Sequence, residues 1–464
     1  MNRRHLLAGL SALALPRSAR AEDLPQLTAA SRVIDVHGKA ATVYGLTNSS
    51  GGHGLALAKG DRFRATLVNK LAEPSLVHWH GLTPPSSQDG VPMLSQAVVP
   101  AGGTFDYDFE NTRTGTHWMH SHVGLQEQHM LAAPLIVRDP EDAARDEQEH
   151  VVMLHDFTFR DPLEILAELK SGGGGHAAHM NMDHDNMAGM DMPAMLNDVA
   201  FDAYLANDRN LDDPEIVAVE SGGRIRLRII NGAAASNMWI DLAGLAGELI
   251  AVDGNDVEPV KGSLFPIAVA QRADIRISLP KERRSRPVFF RPEGAAARTG
   301  IILAAAGAAI EKLDGTLAEA NAALDLAFEM QLRAAVPLRP SDNLRSEMLH
   351  LGGGGADYLW TLNGKSGMHD TILNARAGER IELGIMNMTS MAHPMHLHGH
   401  HFQIVGLKGR RIPGALRDTV LVPPMETVVI AFDADNPGTW AFHCHHLYHM
   451  NSGMMGALAY VNAA

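Results

Sequence analysis

The chain carries one pattern three times, and that repeat restricts it to a small set of folds. Residues 63–69 read FRATLVN and are followed by His78-Trp79-His80-Gly81, then by 104–109 (TFDYDF) and 115–122 (GTHWMHSH). Residues 381–387 read IELGIMN and are followed by His396-Leu397-His398-Gly399, then by 427–432 (TVVIAF) and 438–445 (GTWAFHCH). A third copy between them has 225–231 (IRLRIIN) and 273–279 (ADIRISL) but no paired histidines. Each copy consists of short, alternating, β-branched runs separated by Gly, Pro and Asn turns, the signature of a β-sandwich. Helical periodicity is confined to residues 163–170 and 314–324. The chain of 464 residues also exceeds what one hydrophobic core usually supports. The reading is an all-β chain of three sandwich domains, at 22–145, 146–312 and 313–464. The breaks fall near the acidic run 141–149 and near 309–315.

Composition removes several function classes. A formal net charge of −14 offers no basic footprint for nucleic acid. The unusual feature is 25 His and 23 Met against one Cys, since imidazole and thioether are ligands for copper ions. Residues 1–21 read as an export signal: Arg3-Arg4-His5 is basic, residues 6–15 are apolar, and Ala19-Arg20-Ala21 is a cleavage site. The arginine pair resembles a twin-arginine signal. About ten apolar residues cannot cross a bilayer that needs roughly 20, and no later stretch is long and apolar enough. A soluble protein of the bacterial periplasm or cell exterior is expected. In an oxidising compartment a lone cysteine has no intramolecular disulfide partner, so Cys444 needs another role.

Four histidine groups follow in order: His78-x-His80, His120-x-His122, His393-x-x-His396-x-His398 and His443-Cys444-His445-x-x-x-His449. On a strand, residues two apart share a face, so His443 and His445 point one way and Cys444 the other. One thiolate is thereby offered to one metal while two imidazoles are offered to a second centre behind it. A thiolate, two imidazoles and a weak thioether form the ligand set of a mononuclear electron-transfer copper. Met454 and Met455 both follow at short range, and spacing favours Met454.

In these motifs, and in its three-sandwich layout, the chain resembles the multicopper oxidases, the group of laccases, ascorbate oxidases, ferroxidases and bacterial cuprous oxidases. The resemblance covers essentially all of the chain after the export segment and implies three cupredoxin-like Greek-key domains. It implies four copper ions. The type 1 copper falls to His393, Cys444, His449 and axial Met454, and the type 2 copper to His78 and His396. The type 3 pair falls to His80, His120, His122, His398, His443 and His445. The cluster would then lie between the first and third domains. The mechanism implied is one-electron oxidation of a reducing substrate, transfer through Cys444, and reduction of dioxygen to water. Proton supply needs an acid near the cluster. Asp89, in Gln88-Asp89-Gly90, matches the family position near the type 2 copper, although Asp before Gly also suits a turn. Many bacterial members carry Glu directly after the second type 1 histidine; here Met450 stands there, and the second proton relay has no assignment. His117, His129, His155, His400, His401 and His446 fall outside the ligand spacing. Trp79, Trp118 and Trp440 read as packing residues.

Residues 171–195 add a glycine hinge followed by His176, His179, Met180, Met182, His184, Met187, Met190, Met192 and Met195 among Asp, Asn, Gly and Ala. Thioethers at this density in a polar segment serve no core, so auxiliary Cu(I) capture is expected. The partners are then dioxygen and a small reductant or metal ion. Cu(I), in copper tolerance, is the leading substrate. Phenols, Fe(II) or Mn(II), and a non-enzymatic copper-sequestering role, are the alternatives.

Overall fold

The computed structural model of the protein describes residues 24–172 and 196–461. The expected export segment and the Met/His segment from His176 to Met195 lie outside the described residues. Among the described residues no helix is long and apolar enough to cross a membrane.

The described strands form six sheets, two in each third of the chain. The first third has a sheet ordered Lys39–Asn48, Gln26–Val36, Arg62–Asn69, Thr104–Glu110. Its second sheet runs Leu55–Ala58, Ala132–Arg138, Gly115–Ser121, Val77–His80. The same order returns in the last third, where Thr371–Ala375, Met455–Tyr460, Thr439–Cys444, His393–Leu397 and Thr419–Val422 form one sheet. The sheets are mixed rather than purely antiparallel. In all three parts a short strand pairs in parallel with the last strand of its sheet: Leu55 with Leu135, Ile216 with Ile302, Thr371 with Ala457. The repeat read from sequence is therefore a repeat of topology.

The Asn that ends each repeated run explains part of the recurrence. Asn69, Asn231 and Asn387 are all fully buried. The side-chain amide of Asn69 donates to the carbonyls of Glu73, Val99 and Pro100, and that of Asn387 to Met391, Val422 and Pro423. Asn231 serves Ser236 and Ile267 likewise. Loop carbonyls stranded in the interior are thus satisfied by one residue.

The helix expected at 163–170 is present as Pro162–Lys170, with Asp161 accepting from the Leu163 amide and Pro at the first turn. The helix expected at 314–324 is absent. That stretch is held extended by bridges from Thr316 to Ala297 and from Asn321 to Glu293, and buried Asn321 donates to three carbonyls, Pro292, Ala295 and Ala297. Tertiary hydrogen bonding outweighs a weak local preference. The three parts share packing: Leu125 of the first, and Ile165, Leu169, Val199 and Ala234 of the second, belong to the same cluster as the third sandwich's core.

Replacing Asn387 by Ala leaves three interior carbonyls without their donor. It should destabilise the copper-free protein by about 3 kcal/mol, read from the denaturation midpoint of the last transition; an unmoved midpoint would refute the role given to the repeated Asn.

Candidate metal centres

The strand His393–Leu397 pairs with Thr439–Cys444 so that Met395 faces Cys444 and His396 faces His443. Alternation sends His393 to the Cys444 side and His396 and His398 to the other. The chain then leaves the strand and turns through the short helix Leu447–Asn451, which returns His449 to Cys444. The Cys444 Sγ lies 3.6 Å from His393 Nδ1 and 3.7 Å from His449 Nδ1, and the two Nδ1 atoms are 3.1 Å apart. A single ion with metal–nitrogen bonds of about 2.0 Å and a metal–sulfur bond of about 2.3 Å spaces its ligands by about 3.3–3.7 Å. The trio fits one ion. Met455 faces His443 in the ladder, which leaves buried Met454 on the Cys444 side. Burial pushes the Cys444 thiol up, so a bound cation is what would make it a thiolate.

The far nitrogens of these imidazoles are held by groups that sequence spacing does not reveal. His393 Nε2 is 2.7 Å from Thr389 Oγ1, and His449 Nε2 is 3.3 Å from Asp198 Oδ2. Tyr358 donates its hydroxyl to the same carboxylate oxygen. His446 does not join the trio: its ring stacks on His449 at 3.7 Å and 6°, with Nε2 3.2 Å from Asp198 Oδ1. Burial alone would raise the Asp198 carboxyl, but His446 and His449 outweigh it and hold it well below the usual range.

Behind this site, eight histidines converge across the interface of the first and third sandwiches. His78 faces His120 in one ladder and His396 faces His443 in the other. The two sets interleave: His80 stacks on His396 at 3.7 Å and His78 lies on His398 at 3.8 Å. His78 Nε2 is 3.4 Å from His396 Nε2, and His398 Nε2 is 3.0 Å from His443 Nε2.

The outer nitrogens are anchored. Those of His78 and His396 meet the carbonyls of Asp89 and Asp418, both at 2.8 Å, and that of His443 meets the Cys444 carbonyl at 2.9 Å. Those of His398 and His80 meet the carboxylates of Asp89 at 2.8 Å and Asp418 at 3.0 Å. His120 Nδ1 lies 3.0 Å, and His445 Nδ1 3.5 Å, from the Glu127 carboxylate. The nitrogens left without a protein partner are His80 Nδ1 and the Nε2 atoms of His120, His122 and His445, all buried. Protein groups lie against one side of seven of the eight rings, the arrangement that metal-ligating histidines adopt. Burial, reinforced by neighbouring imidazoles, holds His120, His122, His396, His398 and His445 well below the usual histidine range. His80 is lowered likewise, by burial and then by Arg272, and His443 falls to about 4. Neutral imidazole is the ligating form. The donor set fits copper ions.

Asp89 touches His398 through Oδ2 and His78 through Oδ1, the latter at 3.2 Å. Gly90 follows it because a Cβ there would sit 1.9 Å from the Val77 carbonyl; the turn presses Asp89 against the histidine strand. Glu127 is the acid that spacing misses. It is buried between two of the histidines, and burial, then Asp156, pushes its carboxyl well above the ordinary range. The one available signal was three consecutive large polar residues, Gln126-Glu127-Gln128, preceded by Leu125 and followed after His129 by Met130; all three are buried. His400 and His401 have both ring nitrogens committed to protein groups, and Trp118 stacks on His120 at 4.3 Å.

Two measurements follow from these environments. Cys444→Ser should abolish the blue absorption and remove the mononuclear copper while copper at the histidine cluster stays; a retained blue band would place that copper elsewhere. Lowered histidines bind protons more readily unfolded than folded, so they withdraw stability as pH falls below about 6.5. His155 and His443, at about 4, and His401, at about 3, set the window. Raised carboxylates such as Glu127 and Asp156 act oppositely but are outnumbered. The copper-free protein should therefore unfold at lower urea at pH 5 than at pH 7, each such histidine contributing up to about 1.4 kcal/mol per pH unit; equal midpoints would contradict the buried, neutral rings.

Comparison with known proteins agrees with this geometry. Family profiles described as multicopper oxidase match residues 28–142, 148–290 and 340–464. The chain is 31% identical to multicopper oxidase MmcO of Mycobacterium tuberculosis, over 92% of this chain and 85% of that protein. It is 26% identical to copper resistance protein A of Escherichia coli, over 96% and 94%. Its fold matches the crystal structure of a multi-copper oxidase from Pseudomonas thermotolerans with a TM-score of 0.72 at 24% identity, covering 94% of this chain and 98% of the other. Three matched segments, and converging histidine clusters, place this chain in the multicopper oxidase family of oxidoreductases.

Proposed function

We propose that the protein is an exported four-copper oxidase that takes electrons from Cu(I) and reduces dioxygen, as part of copper tolerance. His393, Cys444, His449 and Met454 hold the type 1 ion in this reading. His78 and His396 hold the type 2 ion, and His80, His120, His122, His398, His443 and His445 hold the type 3 pair. Bound copper would supply one-electron transfer at the first site and four-electron reduction of dioxygen to two waters at the cluster. Cys444 joins the two sites through a single peptide bond to each flanking histidine. Asp89 and Glu127 contact the cluster imidazoles, and buried Glu127, its carboxyl pushed up by burial, stands beside His120 and His445 where protons are needed.

One observation carries the choice of Cu(I). Asp198, whose carboxylate lies 3.3 Å from His449 Nε2, follows the Met/His segment by three residues. The chain that follows the soft-donor segment in sequence therefore contributes Asp198 to the imidazole through which electrons would enter. A relative named copper resistance protein A supports the same direction. Fe(II) or Mn(II) would call for carboxylates open to solvent at these imidazoles. The groups found against them are neutral Thr389 and Asp198, the latter buried and engaged by Tyr358 and His446. A sequestering protein would not need a cysteine that bridges two centres. Export rests on the Arg3-Arg4 run and the apolar residues after it.

Oxygen uptake with Cu(I), Fe(II) and a phenolic donor tests the proposal, in the whole protein and in one lacking residues 176–195. The shortened protein should lose about tenfold in kcat/KM for Cu(I), a change of about 1.4 kcal/mol, with phenol oxidation unchanged. Undiminished Cu(I) turnover beside strong phenol turnover would make it a laccase-like enzyme instead.

A further inference from the structure

The middle sandwich supplies no histidine to the cluster, yet it reaches the residues around the cluster through Gln271, which donates to the Thr419 carbonyl, and above all through Arg272. Arg272, at the start of the strand Arg272–Ser278, is buried. Its Nη1 and Nη2 donate to the two carboxylate oxygens of Asp418 at 2.7 and 2.5 Å, and its Nε donates to the Thr116 carbonyl at 3.1 Å. Thr116 belongs to the first sandwich and Asp418 to the third, so one guanidinium from the second spans both.

Asp418 in turn touches histidines from each outer sandwich. Its Oδ1 is 3.0 Å from His80 Nε2, and its carbonyl is 2.8 Å from His396 Nδ1. The residue after His80 keeps this path open. A Cβ on Gly81, whose φ is 93°, would lie 2.4 Å from Arg272 Nη2. The glycine that closes the first His-Trp-His-Gly motif is thus required by a guanidinium from another domain. Asp253 continues the network, 3.8 Å from Arg272 and 3.2 Å from Arg417, which binds Glu329.

We infer that Arg272 is a positioning residue of the copper cluster. By fixing Asp418 it fixes the outer nitrogens of His80 and His396, so that His80 Nδ1 and His396 Nε2 face the coppers only when all three sandwiches are docked. The inference rests on the copper assignment above for the identity of the ions. A bidentate fork plus a third donor is a geometry that lysine cannot copy.

The test uses the copper-loaded, full-length protein with Arg272→Lys, Arg272→Met and Asp418→Asn. Three quantities are read: copper per chain, the type 2 signal in electron paramagnetic resonance, and the blue type 1 absorption as an internal control. The expected result is loss of most of the type 2 signal and a roughly 10–100-fold weaker retention of cluster copper, with the blue absorption intact. Loss in Arg272→Met with retention in Arg272→Lys overturns the part given to the fork, since charge alone would then hold Asp418. Full cluster copper in both Arg272 variants overturns the inference. Parallel loss of the blue site and of the cooperative melt in all three variants overturns it too, because the contact would then be general scaffolding. Wild-type protein with a blue band but no type 2 signal would instead overturn the copper assignment.

Discussion

The structure depends on keeping uncharged imidazoles out of water. Eight rings brought within a few ångströms of one another would repel as cations, and burial removes the solvent that could relieve them. For the rings that burial lowers, neutrality is therefore the condition for this interior to exist, and it leaves each of them a free lone pair. Every other feature near the cluster serves that condition. Backbone carbonyls and the carboxylates of Asp89, Asp418 and Glu127 take the outward N–H groups, fixing tautomer and orientation together. The mononuclear site follows the same rule with Thr389 and Asp198 in those places.

The three repeats divide the labour. A shared topology and a shared buried Asn give each the same frame. The first and third carry paired histidines on matching strands; the second has no such pairs there and contributes through Arg272, Asp198 and packing on the third core. A sandwich without ligands is still needed where two others must be held face to face.

Much of this was legible in the sequence because it is local. Strand alternation separates Cys444 from His443 and His445, and the order of the four histidine groups survives without any knowledge of tertiary contacts. The helix at Pro162–Lys170 was legible through its helical periodicity. The acids around the sites were not, with the exception of Asp89. Glu127, Asp198 and Asp418 lie at no fixed spacing from the imidazoles they hold, and their contacts arise only when sheets dock. The stretch 314–324 departs from its helical pattern for the same reason: Asn321 answers carbonyls that are near in space, not in sequence. The mixed pairing of the sheets also escaped notice, since a parallel edge pair carries the same alternation as an antiparallel one.

The unequal parentage of the two centres has a consequence for how the molecule is filled. Cys444, His393, His449 and Met454 all belong to one sandwich, whereas the cluster draws half its rings from each of two. The smaller pocket is lined by one sandwich and steadied by Asp198 of the second, whereas the larger pocket does not exist until its two walls close. A molecule caught with its outer sandwiches apart would keep the three side chains of the smaller pocket and lack the larger one, so an intact smaller pocket is a poor gauge of maturation.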